Sequence, residues 1–106
     1  NYPLLRQNLK QLKEMRLLDD RPLTIVELPM PEPVYYNDQR LPASYANFYI
    51  SNLHVIVPTF RSKRDQEALD ILKDCFPERE VIGIDSTDII WGLGSFHCLS
   101  QQEPAV

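Results

Sequence analysis

The chain has 106 residues, is 43% hydrophobic and 25% charged, and carries a formal net charge of −4. That composition supports one modest core and is too apolar for disorder. Acidic and basic residues are interspersed, which leaves no basic face for nucleic acid. The longest uncharged stretch, 41–60, holds prolines near both ends with Asn, Ser and His between them, so it does not span a membrane.

Taken in order, "YPLLRQNLKQLKEMRLL" sets Leu5, Leu9, Leu12 and Arg16 at helical spacing, with Pro3 suited to a first turn and Leu4, Met15 and Leu18 widening the apolar stripe. "DDRP" is a turn, and "LTIVELP" reads as a short strand closed by Pro29. Residues 30–45, proline-bearing and holding three of the five tyrosines, read as a long irregular loop. "NFYIS" and "HVIVP" predict a hairpin turning near Asn52 and Leu53. Ser62 then caps a helix with Asp65 three residues on, as in a capping box. Ala68, Leu69, Leu72, Cys75 and Phe76 are its expected buried face, and Pro77 stops it. "EVIGID" is a strand expected to be covered on both faces, and "STDIIW" a short helical turn capped by Ser86. The order is α-β-loop-β-β-α-β-loop. It makes one α/β domain over 1–106 with a mixed sheet, residues 47–85 forming a ββαβ unit.

Chemistry concentrates in "WGLGSFHCLSQQEP", residues 91–104. Cys98 follows a glycine-rich loop, whereas Cys75 is expected on a buried helix face. Two cysteines are too few for a disulfide-stapled secreted domain, so both read as thiols in a reducing compartment. A cysteine is a nucleophile only as thiolate and needs a base, a positive neighbour or a helix N-terminus. His97 is adjacent, but in an extended segment neighbouring side chains point to opposite faces, and His54 belongs to a hairpin turn. Spacing alone leaves a nucleophile and an inert thiol both open. His97 and Cys98 with distant His54 and Cys75 match no metal-ligand spacing. "WGLGS" lacks the phosphate-loop lysine and the third dinucleotide glycine, so no metal or cofactor is expected.

The stretches "YPLLRQNLKQLKEM", "RPLTIVELPMPEP", "LPASYANFYISNLHVIVPTF", "DQEALDILKDCFPEREVIGID" and "WGLGSFHCLSQQEP" together resemble the carboxy-terminal part of the agmatine deiminase family, which includes the bacterial peptidylarginine deiminases. The most specific piece is His97-Cys98-Leu99-Ser100-Gln101-Gln102, supported by Tyr45, Asn47 and Phe48 and by Phe76, Pro77, Arg79 and Val81. The chain departs from the family where three consecutive glycines are usual and it reads Gly92-Leu93-Gly94-Ser95-Phe96.

The resemblance implies a pentein α/β propeller of ββαβ modules, of which 47–85 would be one, with the preceding helix and strand finishing another. It implies a cytoplasmic hydrolase that converts a guanidine to a ureido product plus ammonia, without a cofactor. Agmatine, on a route to putrescine, is placed ahead of peptidyl-arginine as substrate. Cys98 would be the nucleophile, delivered by a strand, and Asn47, Gly92 and Gly94 would lie against substrate. The catalytic histidine and the guanidinium-gripping carboxylates would come from earlier modules, so the 106 residues alone would be inactive. A non-catalytic pentein-type interaction module is the alternative, and a redox-sensing thiol protein a third reading. The His-Cys-x-Ser-Gln-Gln run favours the enzyme.

Overall fold

The computed structural model describes residues 1–105. Helix α1 spans Tyr2–Glu14, with Pro3 in its first turn, where the missing N–H costs nothing. It ends at Met15, whose backbone is extended (φ −73°, ψ 153°), so Arg16 and Leu18 lie beyond it. Arg16 instead bridges to Pro22 across a turn that holds Asp20 at φ 67°. No residue of α1 is buried within the chain. Leu5 and Leu9 face a groove whose other wall includes Leu28, Pro29 and Met30.

The strand expected at residues 23–29 does not form. β-branched residues favour extended backbone, but a strand exists only with a hydrogen-bonding neighbour, and none lies alongside Thr24–Val26 among the described residues. The supposedly irregular loop after it does contain a hairpin, β1 (Val34–Tyr36) paired antiparallel with β2 (Gln39–Leu41). Asn37 and Asp38 supply its two-residue turn, both at positive φ (48° and 62°), which matches the twist of paired strands.

The central sheet has strand order β3-β4-β5. β3 (Tyr49–Ile50) is antiparallel to β4 (His54–Thr59), and β4 is parallel to β5 (Glu80–Asp85), register running from His54↔Glu80 to Thr59↔Asp85. The parallel pair needs a crossover, which α2 (Asp65–Cys75) provides. The order β3-β4-α2-β5 and the mixed sheet make this an α/β fold. At the start of α2, the Asp65 carboxylate accepts the Ser62 N–H (3.0 Å) while Ser62 Oγ accepts the Arg64 N–H (3.1 Å), closing the turn before the helix.

Val55, Val57, Phe60, Ala68, Leu72 and Ile90 form the core, joined by Leu41, Ala43 and Tyr45 from the segment after β2. Helix and sheet meet closely at Gly83, where an added Cβ would come within 3.0 Å of Leu69 Cδ1. Two burial expectations fail. Cys75 is exposed: helical periodicity assigns it inward, but in the last turn Phe76 takes the inward place, its ring edge-on to Phe48 at 5.9 Å. β5 is an edge strand covered by α2 on one face only, and most of its residues stay exposed.

Candidate active site

Two segments far apart in sequence build the site. The first is a turn at residues 44–47, in which Ser44 accepts the Ala46 N–H through Oγ (3.2 Å) and the Asn47 N–H through its carbonyl (3.3 Å). That turn delivers Asn47 just ahead of β3. The second starts at the 3₁₀ helix Ile89–Gly92, anchored by fully buried Ile90 and by an Ile90 N–H bond to the Ser86 carbonyl (3.0 Å). Leu93 closes it in the left-handed region (φ 67°).

Residues 95–100 are a turn rather than the expected strand. The Leu99 N–H donates to the Ser95 carbonyl (2.9 Å), and the Ser100 N–H (3.1 Å) and Oγ (2.8 Å) both donate to the His97 carbonyl. The local chemistry accounts for the change, since a serine hydroxyl that bonds a nearby carbonyl favours a turn over a ladder.

Asn47 binds this turn through both its side chain and its backbone. Its Oδ1 accepts the Cys98 N–H at 3.1 Å, and its Nδ2 lies 3.2 Å from Cys98 Sγ. A backbone N–H only donates, so Oδ1 must face it, and this fixes Nδ2 as a donor to sulfur. The Asn47 carbonyl also accepts the His97 N–H (3.2 Å) and the Ser95 hydroxyl (3.4 Å). Gly94 closes against the same thiol: a Cβ there would come within 2.6 Å of Cys98 Cβ and 3.1 Å of Sγ. Gly92 faces open space, with nothing within 4 Å of an added Cβ.

Of the sequence-derived candidates, Asn47 and Gly94 both lie against Cys98, and Gly92 stands apart. His97 reaches the cluster through its backbone N–H. His54 opens β4, where its Nε2 lies 3.5 Å from a Glu80 carboxylate oxygen. Ser95, fully buried, was not singled out from sequence. Its place in the Asn47 network depends on a contact across 48 residues that spacing does not reveal.

Around the site, charged groups serve the frame. At the carboxy ends of β4 and β5, hydrogen bonds from the Thr87 hydroxyl and N–H, with Arg61 at 2.7 Å, hold the Asp85 carboxyl down to about 2. Tyr45 is 1% exposed, and burial raises its hydroxyl well above the ordinary tyrosine value. Its O–H donates to Asp65 Oδ1 at 2.7 Å, tying the segment that leads to Asn47 onto the start of α2. Among the described residues no group of three or more His, Cys, Asp or Glu is arranged to hold a metal ion, and no helix is long and apolar enough to cross a membrane.

A family model described as Porphyromonas-type peptidyl-arginine deiminase matches residues 1–104. The chain is 36% identical over 120 residues to a "Putative agmatine deiminase" of Marinomonas sp., covering 97% of this chain and 32% of that protein. Among solved structures, the "Putative Arginine Deiminase" of Porphyromonas gingivalis superposes with a TM-score of 0.90 at 46% identity, over 94% of this chain and 30% of that one. The agmatine deiminase of Enterococcus faecalis gives 0.85 at 26% identity, over 93% and 32%. The chain thus spans about a third of the length of the relatives it matches.

Proposed function

The chain belongs to the Porphyromonas-type peptidyl-arginine deiminase family, hydrolases of guanidino groups with the pentein fold, and on that footing we propose that it is the carboxy-terminal part of a guanidine-modifying hydrolase whose nucleophile is Cys98. The observation that carries the reading is the two-point hold of Asn47 on Cys98. An inert thiol has no need of a dedicated side chain bonded to both its amide and its sulfur. A donor facing sulfur suits the thiolate, which is the nucleophilic form.

In this mechanism the Cys98 thiolate attacks the central guanidinium carbon to form a C–S bond. The tetrahedral adduct collapses with loss of one nitrogen, which leaves as ammonia after taking up a proton. Water then adds to the S-bound carbon and the C–S bond breaks, giving the ureido product and returning the thiol. A guanidinium is planar and permanently charged, so carboxylates must hold it and an acid must protonate the leaving nitrogen. Residues 89–102 contain no acidic side chain, so these groups come from outside that segment. Gly94 serves by letting the loop close on the nucleophile. The substrate is agmatine or peptidyl-arginine. With agmatine, the product leads toward putrescine. Two free thiols suit a reducing, cytoplasmic setting.

The test is Cys98→Ser in the protein that carries this chain, assayed for ureido product and ammonia with agmatine and with an arginyl peptide. Loss of several orders of magnitude is expected, because a serine hydroxyl without a dedicated base is a far weaker nucleophile. Retention of more than about a tenth of the activity would remove Cys98 from the mechanism.

A further inference from the structure

Ser86 and Ser95 are both fully buried, and their hydroxyls are used differently. Ser86 donates to the Ile84 carbonyl two residues back (3.2 Å), just as Ser100 donates to the His97 carbonyl three residues back (2.8 Å). Both bonds stay within their own turn. The Ser95 hydroxyl instead donates across 48 residues to the Asn47 carbonyl, at 3.4 Å, and has no other partner among the described residues. A buried hydroxyl requires an acceptor, so even a long bond commits it to Asn47. The same carbonyl takes the His97 N–H at 3.2 Å, and one carbonyl oxygen can accept both. The Ser95 carbonyl meanwhile accepts the Leu99 N–H at 2.9 Å and closes the turn that carries Cys98. One residue thus ties the Asn47 backbone to the turn that the Asn47 amide grips.

We propose that Ser95 is a positioning residue for the nucleophile: its hydroxyl sets where the Asn47 backbone lies, and thereby where the Asn47 amide meets the Cys98 sulfur. The inference rests on Cys98 as the nucleophile. Asn47 Nδ2 has little latitude, since it lies 3.2 Å from Sγ and 3.9 Å from the place a Cβ on Gly94 would take. An asparagine side chain is short, so a displaced backbone carries its amide along. Without the Ser95 hydroxyl, the Asn47 carbonyl keeps only the His97 N–H from this loop. His97 sits on the exposed part of the turn, whereas Ser95 is buried beneath it. The buried donor is therefore the firmer anchor, and Ser95 acts on the thiol through Asn47. Buried groups that are fully hydrogen-bonded in this way rigidify the network they join.

The experiment is a double-mutant cycle on kcat in the full protein, assayed with agmatine and with an arginyl peptide. Ser95→Ala removes one buried oxygen and keeps the backbone, so the Leu99 bond remains. It should lower kcat about tenfold and leave KM within about twofold. Asn47→Ala retains the carbonyl that Ser95 binds and loses only the amide. Adding Ser95→Ala to it should therefore lower kcat by less than about twofold more. Independent effects would instead multiply to about a thousandfold and overturn the proposal, as would wild-type kcat in Ser95→Ala. Loss of the folded state in Ser95→Ala, seen as a lost melting transition, would make the hydroxyl a folding determinant and also overturn it. Ser51→Ala, which loses hydroxyl bonds in the β3–β4 turn, should leave kcat unchanged. An equal fall in kcat there would assign the Ser95 effect to general loosening. If Cys98→Ser keeps its activity, the reading of the nucleophile falls and Ser95 with it. An inactive Cys98→Ser beside an additive cycle removes Ser95 alone.

Discussion

Asn47 and Cys98, 51 residues apart in sequence, are joined by a pair of hydrogen bonds that fix the thiol at both ends, Oδ1 on the N–H at 3.1 Å and Nδ2 on the sulfur at 3.2 Å. Neither bond survives truncation of the amide, and only one end of the pair survives if the amide becomes a carboxylate.

Asn47→Ala should therefore lower kcat about a hundredfold, the cost of a reacting group displaced by about an ångström, with a smaller effect on KM. Asn47→Asp keeps an acceptor for the Cys98 N–H but places an acceptor against sulfur, and should fall as far. Cys75 is an internal control, because it is also exposed and far from Asn47 in the chain. Iodoacetamide labelling of Cys98 should change rate in Asn47→Ala while that of Cys75 does not. Parallel changes at both thiols would mean general loosening, not loss of a local clamp.

The two loop glycines should behave differently. Gly94→Ala brings a Cβ to 2.6 Å from that of Cys98, so the loop must move, at about 1–3 kcal/mol of stability and with most of the activity. Gly92→Ala meets open space without a left-handed backbone to resist it and should shift stability by about 0.5 kcal/mol or less. Chemical denaturation with a parallel activity assay separates them. Equal costs at both positions would contradict the close approach.

Tyr45→Phe keeps the buried ring and removes the hydroxyl that donates to Asp65 Oδ1 at 2.7 Å. The carboxylate still accepts the Phe60 and Ser62 N–H groups, so the loss is one charge-assisted bond, about 1.5–3 kcal/mol by urea unfolding. A change under about 0.5 kcal/mol would mean that the bond carries no net stability.

Asp85 sets an acid limit. Its carboxyl is lowered from 3.8 to about 2 by Thr87 first and Arg61 next. A depressed acid stabilises the fold above its unfolded value, and that contribution fades as pH falls from about 4 through about 2. The side chain is 45% exposed, so solvent screening keeps the effect to about 1 kcal/mol or less. Asp85→Asn should flatten the stability profile in that window and leave it unchanged in shape near neutrality. An undiminished acid slope in the variant would assign the effect to other carboxylates.

The central ββαβ run was legible because each element carries its own period and its own stop, as with Ser62, Asp65 and Pro77 around α2. Burial was less legible: Cys75 has an inward period, yet Phe76 occupies the inward place. "LTIVELP" has the composition of a strand, but pairing depends on a neighbour that composition cannot name. The β1–β2 hairpin was hidden by the surrounding prolines, although Asn37-Asp38 between Tyr36 and Gln39 was a usable turn signal. Cys98 stands out in the sequence through its motif, and the structure shows the contacts around it. Its dependence on Asn47 and Ser95 was not legible, because contacts across about 50 residues leave no local pattern.

Within the Trp91–Gly94 loop, two requirements fall on different neighbours: position 94 must be small, and position 93 must turn left-handed. A single residue under both demands could only be glycine, and its identity would be frozen. Separated, they leave position 93 to trade side chains at a modest torsional cost while the contact at 94 stays intact. A change of side chain at position 93 can thus alter the loop's surface in one mutational step and leave the close approach to Cys98 intact.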